Sequence, residues 1–251
     1  VEHPEDGAVG KAVAVLKALR TADAGSSARE LSARTGMSRS TVQRALTTLA
    51  ATGMVEQGAD RRYRIGPQAL LIGLGYRQGM SLVSAARPLM VALRDRTGET
   101  VGLSIRTGWS RVFIEEVQST LPLRFASELG VLYPLWSGAT GRILMLDLDE
   151  DEVEQALADR TGGERLHRAL TPPQARELLE RARRDGWAGA ADETIAGVRS
   201  LAVPVRGPHG EVVAALSVSG PGVRLAAAEA EVLTALQQSA TRLGRTLGRA
   251  D

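Results

Sequence analysis

At 251 residues the chain is longer than one average domain and too short for three, so two domains of unequal size are expected. Hydrophobic residues make up 43% and charged residues 24%, enough for a packed core, and with aromatics at 3% that core must be aliphatic. Cysteine is absent, which excludes disulfides, thiolate nucleophiles and thiolate metal sites and fits a reducing cytoplasm.

The first ten residues are acidic and polar rather than basic and then apolar, and no run of about 18 apolar residues occurs anywhere, so neither export nor a membrane span is expected. Charge is unevenly spread. Between Gly10 and Gly66 ten basic residues stand against four acidic ones, a net +6, while the rest of the chain carries −4. A basic quarter suits a polyanionic partner, because each phosphate it neutralises releases condensed counterions. Charge alone does not separate this from a solvated basic face with no partner.

In chain order, Val9, Ala12, Val13, Leu16 and Leu19 recur at helical spacing and predict a first helix to about Thr21. Asp23-Ala-Gly-Ser-Ser interrupts it. Ser27 and Glu30 have capping-box spacing and start a second helix through Thr35, which Gly36 ends. Ser38 then caps a third helix running to Ala51, whose apolar face is Val42, Ala45, Leu46 and Leu49. The opposite face carries Ser40, Gln43, Arg44 and Thr47, with Ser38, Arg39 and Thr41 at its start. Short hydroxyls, an amide and guanidinium groups can hydrogen-bond base edges and phosphates without holding the helix out of the major groove. Gly53 stops this helix, and residues 54–57 and 62–65 read as two short strands around a turn bearing Arg61, Arg62 and Arg64. The order of helix, capped helix, glycine turn, polar-faced helix and basic hairpin describes a winged helix-turn-helix on residues 1–66, with its third helix reading bases and its wing touching phosphates or the minor groove. Each helix singly would serve as well in a small bundle whose polar faces meet water; the ordered set points to double-stranded DNA.

Residues 67–98 are expected as a helical connector. Pro67 opens a short helix over Gln68–Arg77, and a second over Ser81–Thr97 contains Pro88, expected to kink it. Their apolar stripes are expected to pack between subunits as well as within one.

From Glu99 the period changes to alternation, with Val101, Leu103 and Ile105, then Val112, Ile114 and Val117 beyond a turn at Gly108. A later strand pair covers Leu201–Val205 and Val212–Val218, and helices are expected near Thr140–Asp147, Asp149–Leu157, Pro172–Asp185 and Ala226–Leu247. Strands first and last with helices between make residues 99–251 an α+β domain on one antiparallel sheet.

The segment Gly36-Met-Ser-Arg-Ser-Thr-Val-Gln-Arg-Ala-Leu-Thr-Thr-Leu followed by Gly53-Met-Val resembles the DNA-binding region of the IclR family of transcriptional regulators. Gly130-Val-Leu-Tyr-Pro-Leu-Trp-Ser-Gly-Ala-Thr-Gly-Arg, then Gly186-Trp with Asp192-Glu-Thr-Ile-Ala-Gly-Val-Arg-Ser-Leu-Ala-Val-Pro-Val, and Val213-Ala-Ala-Leu-Ser-Val-Ser-Gly-Pro resemble the effector domain of that family, in its order. The resemblance implies a GAF-like effector-binding domain, and a homodimer or homotetramer bound to a pseudo-palindromic operator. It places the pocket at Ala139 and Thr140, at Asp192, Val198 and Ser200, and at Ser217 and Ser219, with Phe125 and Tyr133 as further lining residues. A helix N-terminus and a few hydroxyls would then bind a small carboxylate without any Lys or Arg. Glu193 is expected to brace the loop instead of touching ligand. On their own, Ser217 and Ser219 are also what a strand satisfying its neighbours would show.

Against an enzyme, the histidines are only His3, His167 and His209, no pair of them has metal-ligand spacing, and neither a nucleophile elbow nor a P-loop occurs. Gly73-Leu-Gly75 falls in a helical segment, not after a strand. No catalytic residue, metal or cofactor is expected. A pure architectural DNA-binding module would differ from a sensor in having no ligand that raises its melting temperature.

Overall fold

The computed structural model describes residues 7–22, 24–79 and 81–248. The acidic start with His3, and Asp23 of the expected interruption, lie outside the described residues. The chain divides into two units, Val1–Gly79 and Met80–Asp251.

The first unit runs α1 (Ala8–Arg20), α2 (Ala28–Thr35), α3 (Arg39–Ala51), β1 (Val55–Gln57), β2 (Tyr63–Ile65) and α4 (Pro67–Gly79). The capping box is present: Glu30 N–H donates to Ser27 Oγ at 3.3 Å and Ser27 N–H to Glu30 Oε2 at 2.8 Å. Gly36 ends α2 with φ at +70°, a conformation glycine adopts without the clash a Cβ would bring. Ser38 Oγ accepts from Thr41 N–H at 3.2 Å and starts α3. Val42, Leu46 and Leu49 of α3 pack with Val15, Leu19, Leu31, Val55 and Tyr63 into one small core. Each fully buried aliphatic side chain there contributes about 1.5–3 kcal/mol, which fixes the rotation of α3 about its axis. β1 and β2 pair antiparallel, Val55 opposite Ile65. The expected connector is divided: α4 falls in this unit and the next helix in the other.

The second unit opens with α5 (Ser81–Thr97), which continues unbroken through Pro88. It goes on through β3 (Thr100–Thr107), β4 (Ser110–Val117), β5 (Leu132–Pro134), α6 (Gly138–Leu144), α7 (Glu150–Ala158), a 3-10 turn at Gly163–Arg165, and α8 (Pro172–Asp185). β6 (Ala188–Ala191), β7 (Val198–Arg206), β8 (Val212–Pro221), α9 (Gly222–Ala227) and α10 (Glu229–Leu247) complete it. The six strands form one antiparallel sheet in the order β5-β4-β3-β8-β7-β6, so the first and last pairs meet through β3 and β8. Sequence periodicity had pointed to the four long strands. β5 and β6 have three and four residues, too few for an alternating pattern to show.

The two faces of this sheet differ in side-chain size. Val101, Leu103, Leu201, Val203, Leu216 and Val218 face α5 and α10 and pack against Met90, Leu93, Val232, Leu236 and Leu243. The other face carries small residues: Ala202 and Ala215 sit under α6 and its neighbours, and register brings Ser217 opposite both Gly102 and Ala202, and Ser219 opposite Ser200. Large residues hold the helices on one side; small ones leave room on the other.

Candidate functional site

Two sites were expected, one in each unit. In the first, burying Val42, Leu46 and Leu49 turns the opposite side of α3 outward, so Arg39, Ser40, Gln43, Arg44 and Thr47 are all exposed. Ser38, Ser40 and Thr41 form a short hydroxyl chain, with Ser38 Oγ 3.0 Å from Ser40 Oγ and 2.9 Å from Thr41 Oγ1. Thr47 Oγ1 donates to its own helix at Gln43 O, 3.0 Å away. Gln43 Nε2 donates to Tyr63 Oη at 3.3 Å, tying α3 to the wing strand. Arg39 and Arg44 have no ion-pair partner among the described residues.

The three wing arginines do different things. Arg61 stands at the tip with φ at +60° and an exposed side chain. Arg62 turns inward: Nε and Nη2 donate to Gly25 O at 3.2 and 3.0 Å, and Nη2 pairs with Glu30 at 2.8 Å. Arg64 pairs with Asp60 through both terminal nitrogens, at 3.1 and 2.6 Å, and donates to Ala24 O at 3.2 Å. Hydrogen bonding from Arg64 and from the Arg62 N–H pulls the Asp60 carboxyl down to about 2. The sequence count gave all three arginines to the polyanion; two are occupied in seating the wing on the loop before α2. The acids that claim them, Glu30 and Asp60, were already in that count.

The second site is a cavity of about 350 Å³ over the small-residue face of the sheet. Ser200, Ser217 and Ser219 form its floor, Ala139 and Thr140 of α6 one wall, and Phe125, Tyr133 and Val198 further lining. Eight of the nine expected residues therefore come together. Asp192 does not: it is exposed, holds φ at +57°, and accepts from Gly197 N–H at 2.6 Å, closing the 192–198 loop instead of facing the cavity. Ser217 Oγ donates to Gly102 O at 3.3 Å, whereas the hydroxyls of Thr140, Ser200 and Ser219 have no hydrogen-bond partner among the described residues.

The expected carboxylate seat at the start of α6 is taken by the chain itself. Glu193 accepts from Gly138 N–H at 2.8 Å and from Arg142 at 2.9 and 3.0 Å, both side chains being almost fully buried. Glu193 braces the loop and also lines the cavity.

Arg111, Phe113, Glu128, Arg165, Thr194 and Ile195 line the cavity as well, and sequence reading missed all six. Arg111 is 3% exposed; Nε donates to Ser137 O at 3.2 Å, and its guanidinium lies 4.9 Å from the Tyr133 ring and 5.4 Å from the Phe113 ring. Burial pushes it down to about 10, Tyr133 and Glu193 opposing the shift and Arg142 adding to it, so it stays charged at neutral pH. Tyr133 is raised, chiefly by its own burial and then by Glu128, to which its hydroxyl donates at 3.3 Å. Arg165 reaches the same Glu128 oxygen at 3.4 Å from the 3-10 turn.

A helix-turn-helix with a wing and an outward polar helix, joined in one chain to an α+β unit with a polar-lined cavity, defines a ligand-responsive class of transcriptional regulator. The IclR helix-turn-helix domain matches residues 8–59 and the bacterial transcriptional regulator IclR C-terminal domain residues 74–245. The chain belongs to the IclR family of transcriptional regulators.

Among its relatives, the HTH-type transcriptional regulator KdgR of Escherichia coli is 33% identical over 215 residues, 85% of this chain and 82% of that one. The HTH-type transcriptional regulator Rv1719 of Mycobacterium tuberculosis is 32% identical over 229 residues, 91% and 87% of the two chains. An IclR-type regulator from Silicibacter sp. TM1040 has the same fold, with a TM-score of 0.84 over 96% of each chain at 27% identity. An IclR homolog from Microbacterium hydrocarbonoxydans, solved in complex with 4-hydroxybenzoate, superposes with a TM-score of 0.77 over 98% of this chain and all of that one, at 24% identity. No helix of the described residues is long and apolar enough to cross a membrane.

Proposed function

We propose that the protein is a cytoplasmic, non-enzymatic homo-oligomer that binds a pseudo-palindromic operator and changes its affinity when a small organic effector, a carboxylate or aromatic compound, enters the cavity. The observation that carries the DNA half is α3: a buried apolar stripe anchors it, and Arg39, Ser40, Gln43, Arg44 and Thr47 are left facing solvent. Those side chains read base edges, and Arg61 at the wing tip takes a phosphate.

One copy offers one recognition helix, and a two-fold operator needs two, about 34–36 Å apart or a multiple of that. α4 supplies a surface for the pairing. Leu70, Leu71, Ile72 and Tyr76 are each more than half exposed, and large apolar side chains gathered on one helix mark an interaction surface. Effector binding favours one arrangement of subunits, and through the helices between the two sites this alters the spacing of the recognition helices, hence operator affinity. The effector half is supported by the unpartnered hydroxyls in the cavity and by the ligand-bound neighbour of the same fold.

The test is footprinting on the DNA flanking its own coding region, with and without candidate organic acids, combined with salt titration. A protected palindrome whose affinity changes with an acid supports the reading. A protein with no preference for any duplex at low ionic strength overturns it.

A further inference from the structure

The lining of the cavity includes a nearly fully buried cation, Arg111. Arg111 comes from β4, where a bulge decides its direction. Leu103 pairs with Glu115 and Ser104 with Phe113, so Ile114 is left without a partner and the parity of the strand changes there. Glu115 stays on the α5 side, paired with Arg87 at 2.9 Å, while Phe113 and Arg111 are turned to the cavity. Room for the guanidinium is built in: a Cβ on Gly138 would lie 2.8 Å from Arg111 Nη2, and Gly138 also holds φ at +73°.

Among the described residues no carboxylate pairs with Arg111. The one buried acid nearby, Glu193, is committed to Arg142 and to Gly138 N–H. Nε is held by Ser137 O, and the rings of Tyr133 and Phe113 flank the head, leaving the terminal nitrogens without an acceptor among the described residues. A buried, desolvated guanidinium without a counter-anion is an expensive feature unless something brings the anion. Its planar fork matches a carboxylate through two parallel N–H donors.

We infer that Arg111 is the anion anchor of the cavity, and that the effector is a monocarboxylate whose remaining oxygen atoms are read by the Thr140, Ser200 and Ser219 hydroxyls. This rests on the reading of the cavity as the effector site. Arg165, the other arginine of the lining, is paired with Glu128, so one cation is left to neutralise one negative charge, and a phosphate dianion would leave one charge buried and unpaired beside Glu193. Both phenylalanines of the chain and Tyr133 line this one cavity, which provides flat apolar walls for the body of the acid. An aromatic hydroxy acid and a short aliphatic hydroxy acid share this chemistry, and the experiment separates them.

The full chain is titrated calorimetrically with 4-hydroxybenzoate and with lactate, and in parallel with 4-hydroxybenzamide and lactamide, which keep the shape and remove the charge. At least one acid is expected to bind about 100-fold more tightly than its amide, since the amide leaves the cation unpaired. Arg111→Met is expected to abolish that preference, and Arg111→Lys, which keeps the charge and loses the fork, to weaken acid binding about tenfold. Should Arg111→Met fail to fold, by circular dichroism, the acid-to-amide ratio of the unmodified protein and the lysine variant still decide. Binding of neither acid, equal binding of acid and amide, or acid binding untouched in the Arg111 variants overturns the anchor. Val198→Trp fills the cavity from its loop side and separates the two claims. If it abolishes binding while the Arg111 variants do not, the anchor alone fails; if acid still binds to Val198→Trp, the cavity is not the effector site.

Discussion

Replacing Glu193 by leucine tests how the wall of the cavity is held. The carboxylate is 4% exposed and Arg142 1% exposed. Arg142 makes three hydrogen bonds, two to Glu193 at 2.9 and 3.0 Å and one to Gly189 O at 2.6 Å. Glu193→Leu removes the two charged ones and leaves Gly138 N–H without its acceptor. A buried ion pair broken on one side is expected to destabilise by about 3–5 kcal/mol, because the remaining charge is uncompensated. In a unit of this size that lowers the melting temperature by about 6–20 °C. Arg142→Met alone should do similar damage. The double variant should recover most of it, falling short by the Gly138 N–H that loses its acceptor and the Gly189 O that loses its donor, together about 1–3 kcal/mol. All three tryptophans, Trp109, Trp136 and Trp187, belong to the second unit, so urea unfolding followed by tryptophan fluorescence reports this unit alone. A loss below about 1 kcal/mol in Glu193→Leu, or singles that simply add in the double variant, would refute the reasoning.

Arg44→Ala should weaken specific operator binding by about 1–3 kcal/mol and relax the sequence preference, whereas Arg61→Ala should weaken all duplexes alike and reduce the salt slope by about 1. Footprints and salt titrations distinguish the two, and equal loss on random DNA for Arg44→Ala would count against base readout. Arg62→Ala should leave the salt slope nearly unchanged and destabilise the first unit by about 1–2 kcal/mol, since its donors go to Gly25 O and Glu30. Asp60 ionises near 2 in the folded protein, below its ordinary 3.8, so the stability it contributes is full above about 4 and is lost as pH falls toward 2. Carboxyl NMR titration measures this, and Asp60→Asn should remove that part of the acid dependence. Gly138→Ala should lower effector affinity and stability together, by about 1–2 kcal/mol in stability, from the positive φ and the contact with Arg111.

The DNA-binding half was legible because its signals are local. Ser27 with Glu30, Gly36, and Ser38 with Thr41 set helix boundaries within a few residues of themselves, and the apolar spacing of α3 fixes which face is buried. What the sequence hid was pairing across distance: Arg62 meets Gly25 and Glu30, more than thirty residues away, and nothing in the residue types marks it as different from Arg61. The resemblance brought eight pocket residues to one cavity, because the alternation of Ser217 with Ser219 and the register with Ser200 put hydroxyls on one face. Asp192 was misplaced for a conformational reason. At φ +57° a short side chain folds back on its own loop, and sequence position alone cannot show that.

Arg111 was the hardest residue to find, yet its trace is present. Val112, Ile114 and Val117 were read as one alternating series, but the first two stand on even numbers and the last on an odd one. A strand cannot keep one face through such a change without an extra residue, and the register shows that residue to be Ile114. With the bulge, Val117 and Glu115 belong to the α5 side, and Phe113 and Arg111 to the cavity. Were Ile114 instead paired with Ser104, every residue before it would change face, driving Arg111 toward the aliphatic core beneath α5 and Val112 toward the cavity. A charge cannot be accommodated among Leu103, Leu216 and Met90, which excludes that unbulged register for the full strand; deleting Ile114, by contrast, leaves Phe113 opposite Ser104 and should keep Arg111 on the cavity face. The bulge is what allows one strand to serve a dry core on one face and a charged ligand seat on the other.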